Sequence, residues 1–113
     1  MRQSEIWLVS LDPTLGSEIK KTRPAIIVND NALGKLPLKI IVPLTDWKDQ
    51  FEVAPWMVRI DPDARNGLSK TSSADCFQVR SVAQERCIRK IGQVDSAGMA
   101  AIRKALATVL SID

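Results

Sequence analysis

The chain is 113 residues long, with Lys+Arg 16 against Asp+Glu 13, and it contains neither His nor Tyr. That length supports a single domain, 1–113, and 45% hydrophobic with 26% charged residues describes a water-soluble globule rather than a disordered or collagen-like chain. Without histidine, Ser-His-Asp triads, Cys-His dyads and His-ligated metal sites are excluded, so any chemistry rests on Arg, Lys, Asp, Glu, Thr, Ser or Cys. A net charge of +3 suits a polyanionic partner. Cys76 and Cys87 form no CxxC motif and read as two reduced thiols of a cytoplasmic protein. The first residues carry no secretory signal, and no run approaches the ~20 apolar residues that cross a bilayer, so no membrane partner is expected.

Short β-prone runs come first. Residues 6–11 form an apolar run stopped by Asp12-Pro13, and residues 25–28 follow Pro24 and end at the Asn29-Asp30-Asn31 turn cluster. A third strand, 40–44, contains Pro43, which argues for an edge or a bend. Residues 56–60 make a fourth, closed by Asp61-Pro62-Asp63. A fifth is expected over 76–80, with Phe77 and Val79 on one face and Cys76, Gln78 and Arg80 on the other. A sixth runs over 87–91, before Gly92.

The last segment changes period. Met99, Ile102, Leu106, Val109 and Leu110 recur on one helical stripe, with Asp95 or Ser96 as the cap. Six short strands and a terminal helix in so small a chain predict a mainly β fold, a compact antiparallel β-barrel with a C-terminal α-helix; closing the sheet would also remove exposed edges.

The most unusual stretch is the loop over 12–24, which carries Glu18, Lys20, Lys21, Arg23 and two kinds of hydroxyl. Arg23 precedes Pro24, so its backbone is biased to extended geometry. An anchored guanidinium fork suits a phosphate.

Gly16-Ser17-Glu18, standing before the Arg23-Pro24 step, resembles the opening motif of the MazF/PemK family of toxin endoribonucleases. The likeness continues through Val42-Pro43-Leu44-Thr45, Gly67-Leu68 before Ser72-Ser73, Gln78-Val79-Arg80-Ser81-Val82, Arg86 and Ile91-Gly92. It covers essentially the whole chain in order. The resemblance implies a small SH3-like barrel that forms a homodimer, cuts single-stranded RNA without a metal or other cofactor, and is silenced by a cognate antitoxin. It assigns Arg23 and Thr45 as catalytic residues and Glu18 as a carboxylate some members require, here the candidate base. The chain departs from one branch of the family, which pairs an early-loop histidine with a carboxylate where Phe77 stands, and from the glycine common at the position of Lys21.

Around that set, Lys20, Lys21, Trp47, Gln78, Arg80 and Arg86 are candidate RNA-binding residues. Trp47 offers an aromatic face for stacking, whereas Trp56 reads as core or dimer seam. The basic run Arg86, Arg89 and Lys90 suits added phosphate contacts. Asp75 carries low weight as a catalytic group, and residues 69–73 read as turn chemistry. Two other functions fit the same barrel: a toxin that poisons DNA gyrase without cleaving, and an RNA-binding module that does not cut. The C-terminal residues Ile112-Asp113 lack the tryptophan on which gyrase poisons of this fold depend, and Glu18, Arg23 and Thr45 are all present, which argues against a decayed site.

Overall fold

The structure is a computed structural model that describes residues 1–113. The apolar runs form strands β1 (Glu5–Ser10), β2 (Thr22–Ile27), β3 (Leu38–Asp46) and β4 (Met57–Ile60). They are followed by β5 (Ser72–Asp75), β6 (Arg80–Ala83), β7 (Cys87–Gln93) and helix α1 (Ser96–Leu110). β2 begins three residues earlier than expected, so Arg23 is a strand residue paired with Val9 rather than part of the loop. α1 is capped by Asp95, whose side chain accepts from the Gly98 N–H, and it buries Met99, Ile102 and Ala105. Leu110, expected on that stripe, is exposed at the last turn.

The fifth strand is not continuous. Asp75 accepts from the Phe77 N–H at 3.1 Å and caps a 3-10 turn over Cys76–Gln78, which separates β5 from β6. A short carboxylate competing for a backbone donor removes that residue from the ladder. Gln78 and Arg80 therefore do not share a strand face. Cys76 is buried in this turn, and burial, then the Asp75 carboxylate, pushes its thiol up to about 12. Cys87 lies apart from it, and both cysteines are free thiols.

The strands run β4-β5-β3-β2-β1-β7 through antiparallel pairs, with β6 on the second edge of β3. The expected closure into a barrel does not occur, because β4 and β7 end the path unpaired. β4 is only four residues long and is followed by Asp61-Pro62, which cannot extend a ladder. The loop after β4 covers the gap instead. The Gln93 N–H donates to Arg65 O at 3.0 Å, and Gly92 and Gly67 let the two backbones meet. A Cβ at Gly92 would lie 2.3 Å from the Asn66 carbonyl carbon, and one at Gly67 would lie 2.0 Å from Ile91 O.

The two faces of the sheet carry separate cores. Ile6, Ile26, Val42, Leu44 and Ala74 pack with α1 on one side. Val9, Leu11, Ala25, Ile27, Ile41 and Val82 pack on the other. Lys39, only 2% exposed, reaches from β3 back to the preceding turn and donates from Nζ to Gly34 O and Leu36 O, which fixes the loop between β2 and β3. No helix is long and apolar enough to cross a membrane.

The long loop between β1 and β2 is held from one side by three side chains of the 78–86 segment. Gln78 Oε1 accepts from the Ile19 N–H at 2.6 Å, while its Nε2 donates to Ser17 O and Asp75 Oδ2. Arg80 donates to Leu11 O, and Arg86 to the carbonyls of Ser10 and Asp12. Within the loop, Glu18 Oε1 accepts from the Leu15 N–H at 2.6 Å, and Asp12 Oδ2 accepts from the Lys21 N–H. Lys21 holds φ 70, the left-handed region that glycine favours, so the loop keeps a glycine-compatible path without the glycine.

Two outcomes follow from these contacts. Gln78→Ala removes the central fastener, and limited trypsin digestion after Lys20 and Lys21 is expected to accelerate roughly tenfold, since each lost bond is worth about 1 kcal/mol. Glu5 provides the second. Burial works to raise its pKa, but hydrogen bonds from Trp7 Nε1, the Arg2 N–H and Lys90 hold it below the usual value of 4.5. A lowered folded-state pKa gives stability above the unfolded value that is lost as pH falls through the folded one. Glu5→Gln is therefore expected to cost about 1 kcal/mol in urea unfolding at pH 7, with the deficit shrinking below pH ~4.

Candidate active site

Thr45 and Arg23 approach each other through strand register. Ala25 and Pro43 form the last pair of β2 and β3, and Arg23 and Thr45 each lie two residues beyond it on their own strands. Both are half-buried, and both line a cleft of about 460 Å³. Arg23 Nε donates to Lys20 O at 3.3 Å, which steers a guanidinium already anchored in a strand.

The walls of this cleft come from distant parts of the chain. β3 adds Leu44 and Asp46, the loop after β4 adds Leu68, Ser69 and Lys70, and β7 adds Arg89, Lys90 and Ile91. Four cations, Arg23, Lys70, Arg89 and Lys90, thus surround one carboxylate, Asp46. Lys70 Nζ lies 3.1 Å from Asp46, and Lys90 Nζ lies 3.2 Å from Glu5. The Lys70–Asp46 pair is exposed on both sides, so it holds its partners weakly and an incoming anion can displace it. Cationic donors beside a hydroxyl are chemically suited to an anion such as a phosphate.

Glu18 is not in this cleft. It lines a second one, of about 520 Å³, together with Ser17, Ile19, Phe77, Gln78 and Arg80. Pro43 also borders that cleft and lies two residues, roughly 7 Å, from Thr45 along β3. Glu18 itself is exposed. Lys20 and Lys21 are exposed on the loop and line neither cleft. Gln78, Arg80 and Arg86 face the loop and spend polar atoms on its backbone. They position the loop that carries Glu18.

Asp75 shares the face of Thr45, one row along the sheet, and its side chain is buried. Burial raises its pKa above the ordinary carboxylate value, partly offset by the Phe77 and Gln78 hydrogen bonds. Trp56, expected in the core or at a seam, is exposed and meets Phe77 edge-on at 6.3 Å. Phe77 is 67% exposed. Sequence reasoning missed Asp46 and Lys70 as cleft residues. The hydroxyl-rich run over 69–73 was the visible signal, and only the pairing of β5 with β3 shows that it ends beside Thr45.

Residues 2–110 match the family of PemK-like, MazF-like toxins of type II toxin-antitoxin systems. Endoribonuclease MazF9 of Mycobacterium tuberculosis (strain ATCC 25618 / H37Rv) is 35% identical over 112 residues, covering 94% of this chain and 92% of that protein. Endoribonuclease PemK of Escherichia coli is 33% identical over 113 residues, covering 98% and 83%. Among solved structures, an endoribonuclease in complex with its cognate antitoxin from a mycobacterial species superposes with a TM-score of 0.78 at 20% identity, over 100% of this chain and 97% of the other. A match over residues 2–110 at this identity, on a fold in which Arg23 and Thr45 line one cationic cleft, shows that the chain belongs to the PemK-like, MazF-like toxin family.

Proposed function

We propose that this toxin-family chain is a metal-independent endoribonuclease that cuts single-stranded mRNA at short sequences. The observation that carries the reading is the meeting of Arg23 and Thr45 in a cleft lined by three further cations. The relatives named as endoribonucleases supply the reaction class.

In the proposed step, the 2′-oxygen attacks the adjacent phosphorus and the bond to the 5′-oxygen breaks. The products are a 2′,3′-cyclic phosphate and a free 5′-hydroxyl. A base takes the proton from the 2′-hydroxyl, and the departing 5′-oxygen gains one. The Arg23 guanidinium lies where negative charge grows on the phosphoryl oxygens, and the Thr45 hydroxyl donates to the same oxygens. Glu18 is our assignment for the base. It reaches the 2′-hydroxyl by releasing the Leu15 N–H and turning from its own cleft toward Pro43 and Thr45. Exposed Lys20 and Lys21 meet the flanking backbone.

The same reading implies a cognate antitoxin, as in the mycobacterial complex, which competes for the cationic cleft, and a location in the cytoplasm, where mRNA is found. It also implies a homodimer, for which the exposed Trp56–Phe77 pair provides apolar surface.

Incubating the protein with a single-stranded RNA in EDTA tests the reading. Discrete cuts ending in 5′-hydroxyl groups are expected. Arg23→Ala should slow them roughly 100- to 1,000-fold, the usual effect of removing one donor to a developing oxyanion. Glu18→Gln should slow them roughly 100-fold or more. Uncut RNA in EDTA, or near-wild-type rates for Arg23→Ala, would overturn the mechanism.

A further inference from the structure

We propose that Trp47 and Arg59 form a clamp for one nucleobase of the RNA, placed to one side of the bond that is cut. The inference rests on the endoribonuclease reading and extends it to two residues outside both clefts.

The clamp lies in line with the reacting residues. Thr45 pairs with Ser73, and Ser73 with Arg59, so the three occupy one row across β3, β5 and β4. Arg23 lines one cleft with Thr45 at the β2 end of that row. Paired residues point to the same side of a sheet, and neighbouring strands are ~4.8 Å apart, which sets Arg59 roughly 10 Å from Thr45 at the backbone. An extended RNA strand laid along this row from Arg23 reaches Arg59 within its next nucleotides.

The two side chains are already organised to hold a flat ring. The Arg59 guanidinium carbon sits 5.5 Å from the centroid of the Trp47 ring. Phe51 packs perpendicular to Trp47, with ring centroids 5.9 Å apart and planes at 83°, which restrains the indole beneath Arg59. Arg59 Nε donates to Asp61 Oδ1 at 3.0 Å, the same oxygen accepts from Thr71 Oγ1 at 3.1 Å, and the Trp47 N–H donates to Thr71 O. One closed set of bonds thus fixes both halves of the clamp. On an exposed surface an Arg–Trp stack contributes little by itself, and Arg59 and Asp61 are both more than half exposed, so this order is not needed to hold the fold together. A base between guanidinium and indole needs two van der Waals separations, about 7 Å, which a small swing of the Arg59 stem provides. Stacking accepts any base, so the clamp adds affinity and register without choosing the base.

The test combines protein and RNA changes. After the cut position is mapped with wild-type protein, binding is measured to an oligoribonucleotide carrying a 2′-deoxy nucleotide there, and cleavage to its all-ribose counterpart. Trp47→Ala should weaken binding roughly 5- to 100-fold, with the loss falling on KM rather than kcat, and Trp47→Phe should recover most of it. Arg59→Ala should weaken binding less, and Arg59→Lys should not restore it fully, because a guanidinium plane stacks better than an ammonium. Scanning an abasic site along the RNA should reveal one position where wild-type protein loses affinity and Trp47→Ala loses nothing more. Circular dichroism of each variant checks folding. Unchanged binding by both folded alanine variants, or abasic losses that add to Trp47→Ala at every position, overturns the clamp while leaving the nuclease standing. Wild-type protein that neither binds nor cuts RNA overturns both.

Discussion

β3 is the strand on which the rest of the molecule depends. One of its edges pairs with β2, while the other pairs first with β6 over Leu38–Ile41 and then with β5 over Leu44–Asp46. Pro43 stands at the handover, where its missing N–H and fixed φ suit a strand that must leave one neighbour and meet another. The same strand feeds both cores, with Ile41 on one side and Val42 and Leu44 on the other, all essentially excluded from water. Burying each such side chain stabilises by roughly 1.5–3 kcal/mol, so the Thr45 end of β3 continues from a firmly held backbone. Thr45 comes immediately after this anchored stretch and inherits its rigidity.

The strands with continuous apolar runs and the helix with its 3.6-residue stripe were legible from the sequence, because period and composition act locally. The break at Asp75 was not. Its neighbours Cys76, Phe77 and Val79 are as β-prone as any strand, and only the hydrogen bond from the Phe77 N–H to the Asp75 carboxylate converts the segment into a turn. Sheet closure was misjudged for a similar reason, since a four-residue β4 and a glycine-mediated backbone contact do the work expected of a last ladder.

The site was legible as a set of residue types, through Glu18, Arg23 and Thr45, and less so as a geometry. That Arg23 and Thr45 line one cleft depends on the pairing of β2 with β3, which no single-strand pattern contains. That Glu18 borders a neighbouring cleft follows from the Gln78 side chain, 60 positions further on, which decides where the loop lies. Gln78 and Arg80 read as contacts for RNA or the other subunit because the sequence predicts them on one polar strand face, and Arg86 as a phosphate contact because it belongs to a basic run. What the sequence does not show is that they also fasten the loop. In the fold their partners are the loop's own carbonyls and N–H groups.

That choice of partners separates shape from chemistry. Each of those fastenings grips main-chain atoms of the β1–β2 loop or of Ser10 at its entry, mostly carbonyls that every residue supplies alike, and none grips a loop side chain. Exposed loop positions other than Asp12, Glu18 and the left-handed Lys21 are therefore free to diversify while the outer fastenings keep the path. A lineage can rewrite what Leu15, Ser17 or Lys20 present to a passing nucleic acid, or to an inhibitor under pressure to keep up, without rebuilding the strand that carries Arg23. Variation in this toxin should accordingly concentrate in the loop, and constancy in the three side chains that hold it.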